Sequence, residues 1–348
     1  MKIKVALIIG YDGTNYHGLQ YSVNVKTIEE VILKNLIKLQ AIKKENHDVR
    51  KAGFQRACRT DKGVHAVYNV VVCKIECDID KIFIPLKQEL EKKNIFLYKM
   101  VKVPKSWVAK NRVDYRIYEY FIPKFILKKK ASINLETINN AMNIIKERNE
   151  NRTDEEKKAI KHKREFRNKE FFDAITFKET EIDIDRINNL IKNFLGSKDY
   201  HNFTINKNEK GTHRHIMEIT TEESDDYIKL IIKGQSFLLH QIRKMVGALL
   251  IAYIFENENI FDIAFKKKKI NIPKTPSKFL LLKFPSFEFY NKKYTTTHEP
   301  IEIEETKNIE ELIYNRIKDT KNLETFDEWL KTVIEYFYEF TYLIENNK

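Results

Sequence analysis

The order in which strand-like and helix-like segments follow one another is the feature that most constrains this fold. Segments with alternating or β-branched apolar residues predict strands at residues 2–10, 66–75, 95–103 and 114–123. Between the first two strands, Thr27 and Glu30 have the spacing of a capping box and predict the start of a helix. The beginning of the chain therefore mixes strands with a helix.

The rest of the chain continues this mixed pattern. Apolar positions at helical spacing predict helices at residues 134–148, 184–195 and 236–254. Gly196 marks the end of the second helix, because glycine readily adopts the conformation that closes a helix. Further strands are predicted at residues 213–222, 226–234 and 279–289. The pattern predicts an α+β protein of two halves, divided near residue 105.

Two segments differ from this pattern in composition. Residues 146–170 are dense in Lys, Arg, Glu and Asn and hold few apolar residues, so we expect a solvated insertion or a flexible loop. The acidic segment 291–348 contains an amphipathic helix candidate at residues 322–344 that is rich in Tyr and Phe. We expect this tail to pack back on the body, with a mobile mimic of RNA as the alternative.

The net charge of +13 is unevenly distributed along the chain. Residues 299–348 contain 13 acidic and 6 basic side chains, so the 298 residues before them carry a net charge of +20. A basic body favours a polyanionic partner, and nucleic acid is the leading candidate. The alternative is a Lys-rich surface that only keeps the protein in solution.

Composition argues against several other classes of protein. No run of about 18 apolar residues occurs, so the sequence predicts no membrane-spanning helix. Three cysteines are too few for a disulfide scaffold, and Cys73 and Cys77 lack the partner histidines of a zinc site. No glycine motif of the Walker or Rossmann type is present, so we expect no nucleotide cofactor.

The most informative segment is RACRTDKGVHA at residues 56–66, which precedes a predicted strand. Loops held on a rigid sheet commonly carry catalytic groups. Asp61 is flanked by Arg59 and Lys62, whose positive charges favour its ionised form. Taken alone, the pattern also fits an ordinary surface aspartate in an Asx-turn. Cys58 has no base partner that would make it a nucleophile.

A second informative segment is KGQSFLLHQIRKMVG at residues 233–247, which reads as a strand end turning into an apolar helix. Arg243 would lie one turn inside that helix, where a guanidinium needs an acidic partner. Asp61 is a candidate for that partner. For His240 we favour a satisfied core or interface histidine over a catalytic one.

A third segment, residues 114–120, places Tyr118 and Tyr120 on the same face of a strand. A tyrosine on a sheet face is usually half-buried packing. It can also serve as a stacking platform for a nucleic-acid base. Both interpretations of Tyr118 stay open at this level.

Together these segments resemble the TruA-type family of tRNA pseudouridine synthases. The resemblance rests on motifs at residues 11–20, 26–29, 59–66, 116–120, 199–204, 214–216 and 233–247. The last motif resembles the eukaryotic branch named for pseudouridine synthase one. Because the motifs follow the family's order from residue 5 to about residue 290, they are more specific together than any one alone.

The resemblance implies the pseudouridine synthase fold, an α+β fold in which two pseudo-related α/β-sandwich halves share a mixed, mainly antiparallel sheet with a central cleft. It implies that Asp61 is the catalytic aspartate and that Arg243 pairs with it. It also implies that Tyr118 stacks on the target uracil and that Arg59 contacts the flipped-out nucleotide. The expected domains are the half with the Asp61 loop, the half with the charged insertion and the acidic, aromatic helical tail, at residues 1–105, 106–290 and 291–348.

The implied activity is the isomerisation of specific uridines in tRNA to pseudouridine, with no cofactor and no metal ion. Further candidate substrates are mRNA and small nuclear RNA, and neither a membrane nor an obligate protein partner is expected. Resemblance to the eukaryotic branch favours the nucleus, with a cytoplasmic share. The basic runs at residues 266–269 and 161–167 fit nuclear import signals and equally fit basic loops that touch RNA. The alternative function is a non-catalytic RNA-binding or RNA-chaperone protein on the same fold.

Two places depart from the family pattern. Residues 273–280 lack the family's glycines, and their bulkier side chains are expected to narrow the wall of the pocket. Asn69 stands where the family usually has Gln or Gly, a change expected to affect strand packing more than chemistry.

Overall fold

The computed structural model of the protein describes residues 2–46, 48–151, 153, 170–205, 211–294, 296–302 and 306–343. The charged insertion expected at residues 146–170 falls mainly on residues 154–169, which lie outside the described residues. Within the described part, no helix is long and apolar enough to cross a lipid bilayer.

The described residues form eleven strands and eleven α-helices. The strands are β1 (Ile3–Tyr11), β2 (Gln55–Arg56), β3 (His65–Ile75), β4 (Ile95–Lys102), β5 (Arg116–Pro123), β6 (Lys129–Ile133), β7 (Ile175–Glu179), β8 (Gly196–Asp199), β9 (His213–Glu223), β10 (Tyr227–Gly234) and β11 (Leu280–Pro285). The helices are α1 (Ile28–Lys38), α2 (Ile79–Glu91), α3 (Lys124–Leu127), α4 (Leu135–Glu150), α5 (Glu170–Ala174), α6 (Ile184–Ile191), α7 (Gln241–Ile254), α8 (Asn259–Phe265), α9 (Glu288–Tyr294), α10 (Lys307–Ile317) and α11 (Thr320–Glu335).

Nine strands form one mixed sheet in the order β4-β1-β3-β11-β5-β10-β9-β8, with β2 pairing to β3, while β6 and β7 pair separately. Among the described pairings, only that between β11 and β3 is parallel. The predicted class, α+β with a mixed and mainly antiparallel sheet, is confirmed.

The position of β11 in the sheet decides which segments with candidate functional residues lie close together. Leu281 and Leu282 of β11 lie opposite His65 and Ala66 at the start of β3. The other edge of β11 pairs with β5, which carries Tyr118. Adjacent strands lie about 5 Å apart, so the start of β3 and the middle of β5 lie about 10 Å apart. Two segments separated by about 50 residues therefore meet across one strand.

One helix in the first half was not predicted from the sequence. α2 carries Pro85 in its interior, where a proline removes a backbone hydrogen bond and is normally disfavoured. Ile82, Leu86 and Leu90 of α2 are buried, and the helix packs against β4. Burial of this apolar face outweighs the local penalty of the proline.

α7 is shorter than predicted. The sequence pattern placed its start at residue 236, but the helix begins at Gln241, because His240 has a φ of 66°. A residue in the left-handed region cannot continue a right-handed helix. The Gln241 side chain closes this turn by accepting a hydrogen bond from the Leu238 N–H at 2.8 Å. Arg243 therefore lies in the first turn of α7.

Two other predicted boundaries differ from the structure. The strand predicted at residues 279–289 ends at Pro285, which has no N–H to extend the ladder. The helix predicted at residues 184–195 is α-helical only to Ile191 and continues as a 3₁₀ turn to Phe194. Gly196, at a φ of 85°, follows that turn.

The acidic tail packs against the body, as predicted. The helix expected at residues 322–344 is α11, which ends at Glu335. Phe326 of α11 contacts Phe279 and Tyr120, with ring centroids 4.8 and 6.4 Å apart. These contacts anchor the described part of the tail, which argues against a mobile mimic of RNA.

Candidate active site

A buried side chain anchors the loop at residues 57–64, called here the Asp61 loop, to β3. The Asn69 carboxamide accepts a hydrogen bond from the Cys58 N–H at 3.3 Å and donates one to the Cys58 C=O at 3.1 Å. Asn69 also donates to the hydroxyl of Tyr11 at 3.2 Å. That hydroxyl lies 2.8 Å from the hydroxyl of Thr60. Asn69 thus has a structural role beyond strand packing, because its hydrogen bonds hold this loop.

The motif at residues 11–20 supports the same loop from a second side. The Leu19 N–H donates to the Thr60 C=O at 3.2 Å. Gly18 has a φ of 94°, and a Cβ at this position would lie 2.6 Å from the Thr60 carbonyl oxygen. Glycine alone combines the left-handed conformation with so close an approach. The structural role of this motif is therefore to hold the Asp61 loop in place.

Asp61 lies in the wall of a cleft, with its side chain 19% exposed. Its Oδ2 atom lies 3.8 Å from Nη1 of Arg243 and 3.4 Å from Nε2 of His240. Burial raises the pKa of the Asp61 carboxyl above its usual value, and the positive charges of Arg243 and Lys274 oppose that rise. The predicted contact between Arg243 and Asp61 is present.

Hydrogen bonds with the segment that follows α8 hold Arg243 in place. Its Nε donates to the Thr275 C=O at 2.7 Å, and the Thr275 hydroxyl donates to the Arg243 C=O at 3.0 Å. Of residues 273–280, Leu280 lines the cleft and the others do not. The expectation that this segment narrows the pocket wall stays a prediction for Leu280. The contacts of Thr275 also fix the direction in which Arg243 points.

Gly247 permits this arrangement, because α7 and the Thr275 segment touch at its Cα. A Cβ on Gly247 would lie 1.9 Å from the Pro273 carbonyl oxygen, far inside contact distance. The obstacle is backbone, which cannot rotate away as a side chain does. A larger residue must therefore displace the segment that orients Arg243.

We expect Gly247→Ala to destabilise the protein by about 1–3 kcal/mol, the usual range for overpacking a filled interior. The direction of the stability change is informative, because helix propensity alone would make alanine about 1 kcal/mol more stable than glycine. Chemical denaturation of both proteins measures this difference. An alanine variant as stable as the wild type would show that the approach of Pro273 to α7 is not tight.

The cleft has a volume of about 440 Å³ and a strongly basic lining. Its walls are formed by the Asp61 loop, β5, the segment after β10 and the turn before β5. Five cationic residues line it: Arg56, Arg59, Lys110, Arg116 and Arg214. Asp61 is the one acidic residue in the lining within the described part of the chain. Arg59 is exposed at this cleft.

Tyr118 lines the same cleft, on the strand face predicted from alternation. Its ring packs edge-on against Phe237, with centroids 5.1 Å apart. Burial raises the pKa of the Tyr118 phenol well above its usual value, so the phenol is neutral. Tyr120, on the same strand face, packs against Phe326 of the tail and not in the cleft.

Arg116 has a role that the sequence analysis did not identify. Its guanidinium donates to the carbonyls of Ala57 at 3.4 Å, Lys110 at 3.2 Å and Gln235. A buried Arg thereby joins three separate walls of the cleft. Its place as the first residue of the family motif at residues 116–120 was the available signal.

His240 is not the satisfied core histidine that the sequence pattern favoured. Its Nε2 faces Asp61, and its Nδ1 is buried without a hydrogen-bond partner among the described residues. The ring also lines the cleft. Of the four residues expected to act together, Asp61, Tyr118 and Arg59 line the cleft, and His240 lines it with them. The fourth, Arg243, contacts Asp61 from outside the described lining.

Comparison of the sequence with known proteins identifies a family of related chains. Residues 190–288 match the family model of tRNA pseudouridine synthase. The chain is 33% identical over 340 residues to tRNA pseudouridine synthase 1 of Kluyveromyces lactis, covering 84% of this chain and 61% of that protein. The protein of the same name from Saccharomyces cerevisiae is 32% identical, with coverages of 84% and 62%. The chain thus spans about three-fifths of the length of these yeast relatives.

A human relative is covered more completely. The pseudouridylate synthase 1 homolog of Homo sapiens is 31% identical over 351 residues, covering 94% of this chain and 72% of that protein. The similarity therefore extends far beyond the segment matched by the family model. With this identity over nearly its whole length, the chain belongs to the tRNA pseudouridine synthase family.

Proposed function

We propose that this protein isomerises specific uridines in tRNA to pseudouridine, with Asp61 as its catalytic residue. The observation that carries the proposal is that Asp61 and Tyr118 line one basic cleft and that Arg243 contacts Asp61, although the three residues come from distant segments. The names of the yeast relatives support tRNA as the substrate.

The reaction breaks the bond from uracil N1 to ribose C1′ and forms a bond from C5 to C1′. C5 loses a proton and N1 gains one, so the atoms balance without another reactant. Asp61 can attack or stabilise the electron-poor C1′, as carboxylates do in glycoside hydrolysis, or take a proton from the sugar. Both routes require the ionised carboxylate, which Arg243 favours and orients.

Tyr118 and Arg59 are proposed to hold the extruded nucleotide. A uridine inside folded tRNA must leave its stack, at a cost of a few kcal/mol. The ring of Tyr118 in the cleft offers a face for the uracil, and its phenol can exchange a proton near C5. The exposed guanidinium of Arg59 suits a phosphate or the displaced sugar.

Because five cations line the cleft, tRNA affinity should fall steeply with salt. A protein that neutralises 6–10 phosphates loses roughly 10³–10⁵-fold in affinity between 50 and 200 mM salt. We expect a loss of at least about tenfold in a filter-binding or fluorescence titration of tRNA. An affinity that does not change over this range would contradict nucleic-acid binding through this cleft.

The activity is tested with tRNA transcripts that carry tritium at uracil C5. Formation of the new C5–C1′ bond releases that tritium to water, so release reports the proposed step itself. Mapping the product by nucleoside chromatography identifies which uridines react. Transcripts of mRNA and small nuclear RNA in the same assay test the wider substrate range that we propose. Release from none of these RNAs would overturn the proposed function.

We further propose that the sheet combines two related halves, at residues 1–105 and 106–290, with residues 291–348 as an appended tail. In each half, one central strand has two antiparallel neighbours and a helix precedes each neighbour. The corresponding orders are β4-β1-β3-β2 and β11-β5-β10-β9. Superposition of β1, β3 and β4 on β5, β10 and β11 tests the relation.

We also propose a nuclear location with a cytoplasmic share. The exposed Lys266–Lys269 run after α8 has the composition of a nuclear import signal. Replacing these four lysines with Ser and following a fluorescent fusion tests the idea. Unchanged nuclear accumulation would show that the run is not needed for import.

A further inference from the structure

His240 stands at a strained point of the backbone beside the cleft. It joins the segment after β10 to the first turn of α7, with φ at 66°. Non-glycine residues adopt this left-handed conformation rarely, and such positions concentrate at functional sites. The conformation turns the imidazole toward the Asp61 loop instead of along α7.

The imidazole and Arg243 approach the same oxygen of Asp61. Nε2 of His240 lies 3.4 Å from Oδ2, and Nη1 of Arg243 lies 3.8 Å from it. Among the described residues, no hydrogen bond or ion pair reaches Oδ1. Catalytic hydrogen bonds are often long without substrate and shorten when it binds. The two donors thus leave the second carboxylate oxygen for the substrate.

The charges around His240 decide its protonation. Burial lowers the pKa of His240 to about 4, and the positive charges of Lys274, Arg243 and Lys244 act in the same direction. The ring is therefore neutral at pH 7 and carries a single N–H. Its Nδ1 is buried without a partner, while Nε2 faces a carboxylate that accepts a hydrogen bond. In the tautomer with the proton on Nε2, an N–H donor lies 3.4 Å from Oδ2 of Asp61, a separation that must shorten for a strong hydrogen bond.

We propose that His240 is a positioning residue that, as a neutral donor, holds Oδ2 of Asp61 together with Arg243 and leaves Oδ1 to react. This inference rests on the proposed role of Asp61. A neutral donor orients the carboxylate without placing a second full positive charge beside it. Asp61 consequently keeps more of its capacity to attack C1′ or to take a proton.

Two variants of similar polarity separate this role from a structural one. The amide nitrogen of Gln in His240→Gln can reach the place of Nε2, whereas the shorter side chain in His240→Asn reaches only the place of Nδ1. Asn is among the residues that tolerate the left-handed conformation best, so His240→Asn keeps the backbone. Thermal unfolding of both variants checks that they are folded.

We expect His240→Asn to lower kcat by about 10–100-fold while KM stays within about threefold of the wild type. Loss of a donor to the carboxylate raises the pKa of Asp61, so the acid limb of the kcat–pH profile should move to higher pH. His240→Gln should restore kcat to within about fivefold of the wild type and keep the acid limb in place.

Two outcomes overturn the inference. One is a folded His240→Asn variant with the kcat and acid limb of the wild type. The other is a His240→Gln variant that is as slow as His240→Asn and has the same acid limb. The wild-type protein in the same tritium assay distinguishes a failure of the proposed function from a failure of the role proposed for His240. If it releases no tritium from tRNA, the proposed function fails; if it does, a null result at His240 rejects only this inference.

Discussion

Asp61→Asn is expected to reduce pseudouridine formation at least about a thousandfold and to leave tRNA affinity within about threefold of the wild type. The amide has the size of the carboxyl group, but it can neither attack C1′ nor accept a proton from the sugar. Binding should survive, because Asp61 is the one acidic residue described in a cleft lined by cations. Tritium release and equilibrium tRNA binding measure the two effects separately.

The same substitution acts on stability at pH 7 in two opposing ways. Burial raises the pKa of Asp61, so the folded protein holds this proton more tightly than the unfolded chain. Ionisation of Asp61 therefore lowers stability as pH rises through the interval between the ordinary and the raised pKa. An amide removes this penalty, but it also leaves the buried Arg243 guanidinium without its carboxylate partner. A loss of activity accompanied by unchanged thermal unfolding would locate the effect in the chemistry.

Asp183→Asn is the matched control. Asp183 caps α6 by accepting a hydrogen bond from the Arg186 N–H, and Asn caps helices equally well. We expect this variant to keep full activity. If Asp61→Asn retained turnover within tenfold of the wild type, Asp61 would not be the catalytic residue.

Arg243→Leu is expected to lower kcat by roughly a hundredfold or more. Removal of the guanidinium leaves the buried Asp61 without its main positive partner, so the pKa of that carboxyl rises further. The acid limb of the kcat–pH profile should therefore move to higher pH. The carboxylate also loses one of the two groups that orient it. Steady-state tritium release between pH 5 and 9 measures both changes.

Two further variants test the specificity of this effect. Arg243→Lys keeps the charge but loses the planar guanidinium that reaches both Thr275 and Asp61, so an intermediate kcat is expected. Arg186→Leu removes a partly buried arginine that pairs with Glu256 and Glu258 outside the cleft, and should leave kcat unchanged. An Arg243→Leu variant with wild-type kcat and acid limb would remove Arg243 from the mechanism.

A double-mutant cycle measures the coupling between Asp61 and Arg243 directly. In an Asp61→Asn background, Arg243→Leu should change residual activity by less than about threefold, because its effect acts through the missing carboxylate. A full additional hundredfold loss would show that Arg243 acts on the RNA and not on Asp61.

Local sequence patterns determined much of the fold. Thr27 and Glu30 cap α1 as their spacing predicts, with hydrogen bonds of 3.3 and 3.4 Å. Alternation along β5 places Tyr118 in the cleft, with Glu119 on the other face, where it accepts a hydrogen bond from Tyr314 of α10. A buried arginine in a helix needs an acidic partner because of its charge, and the sequence already offers Asp61 as the candidate partner of Arg243. These inferences succeed because they depend on periodicity and charge within short segments.

Tertiary structure alone decided the features that complete the site. The left-handed His240 delays the start of α7 to Gln241 and turns its ring toward Asp61, although a helical pattern continues through that position. The approach of Pro273 to Gly247 sets the direction of Arg243, and β11 enters between β3 and β5. The physical reason is that short-range patterns specify the face on which a side chain lies. They do not specify which distant segments pack against that face, and here that packing decides which groups reach the Asp61 carboxylate.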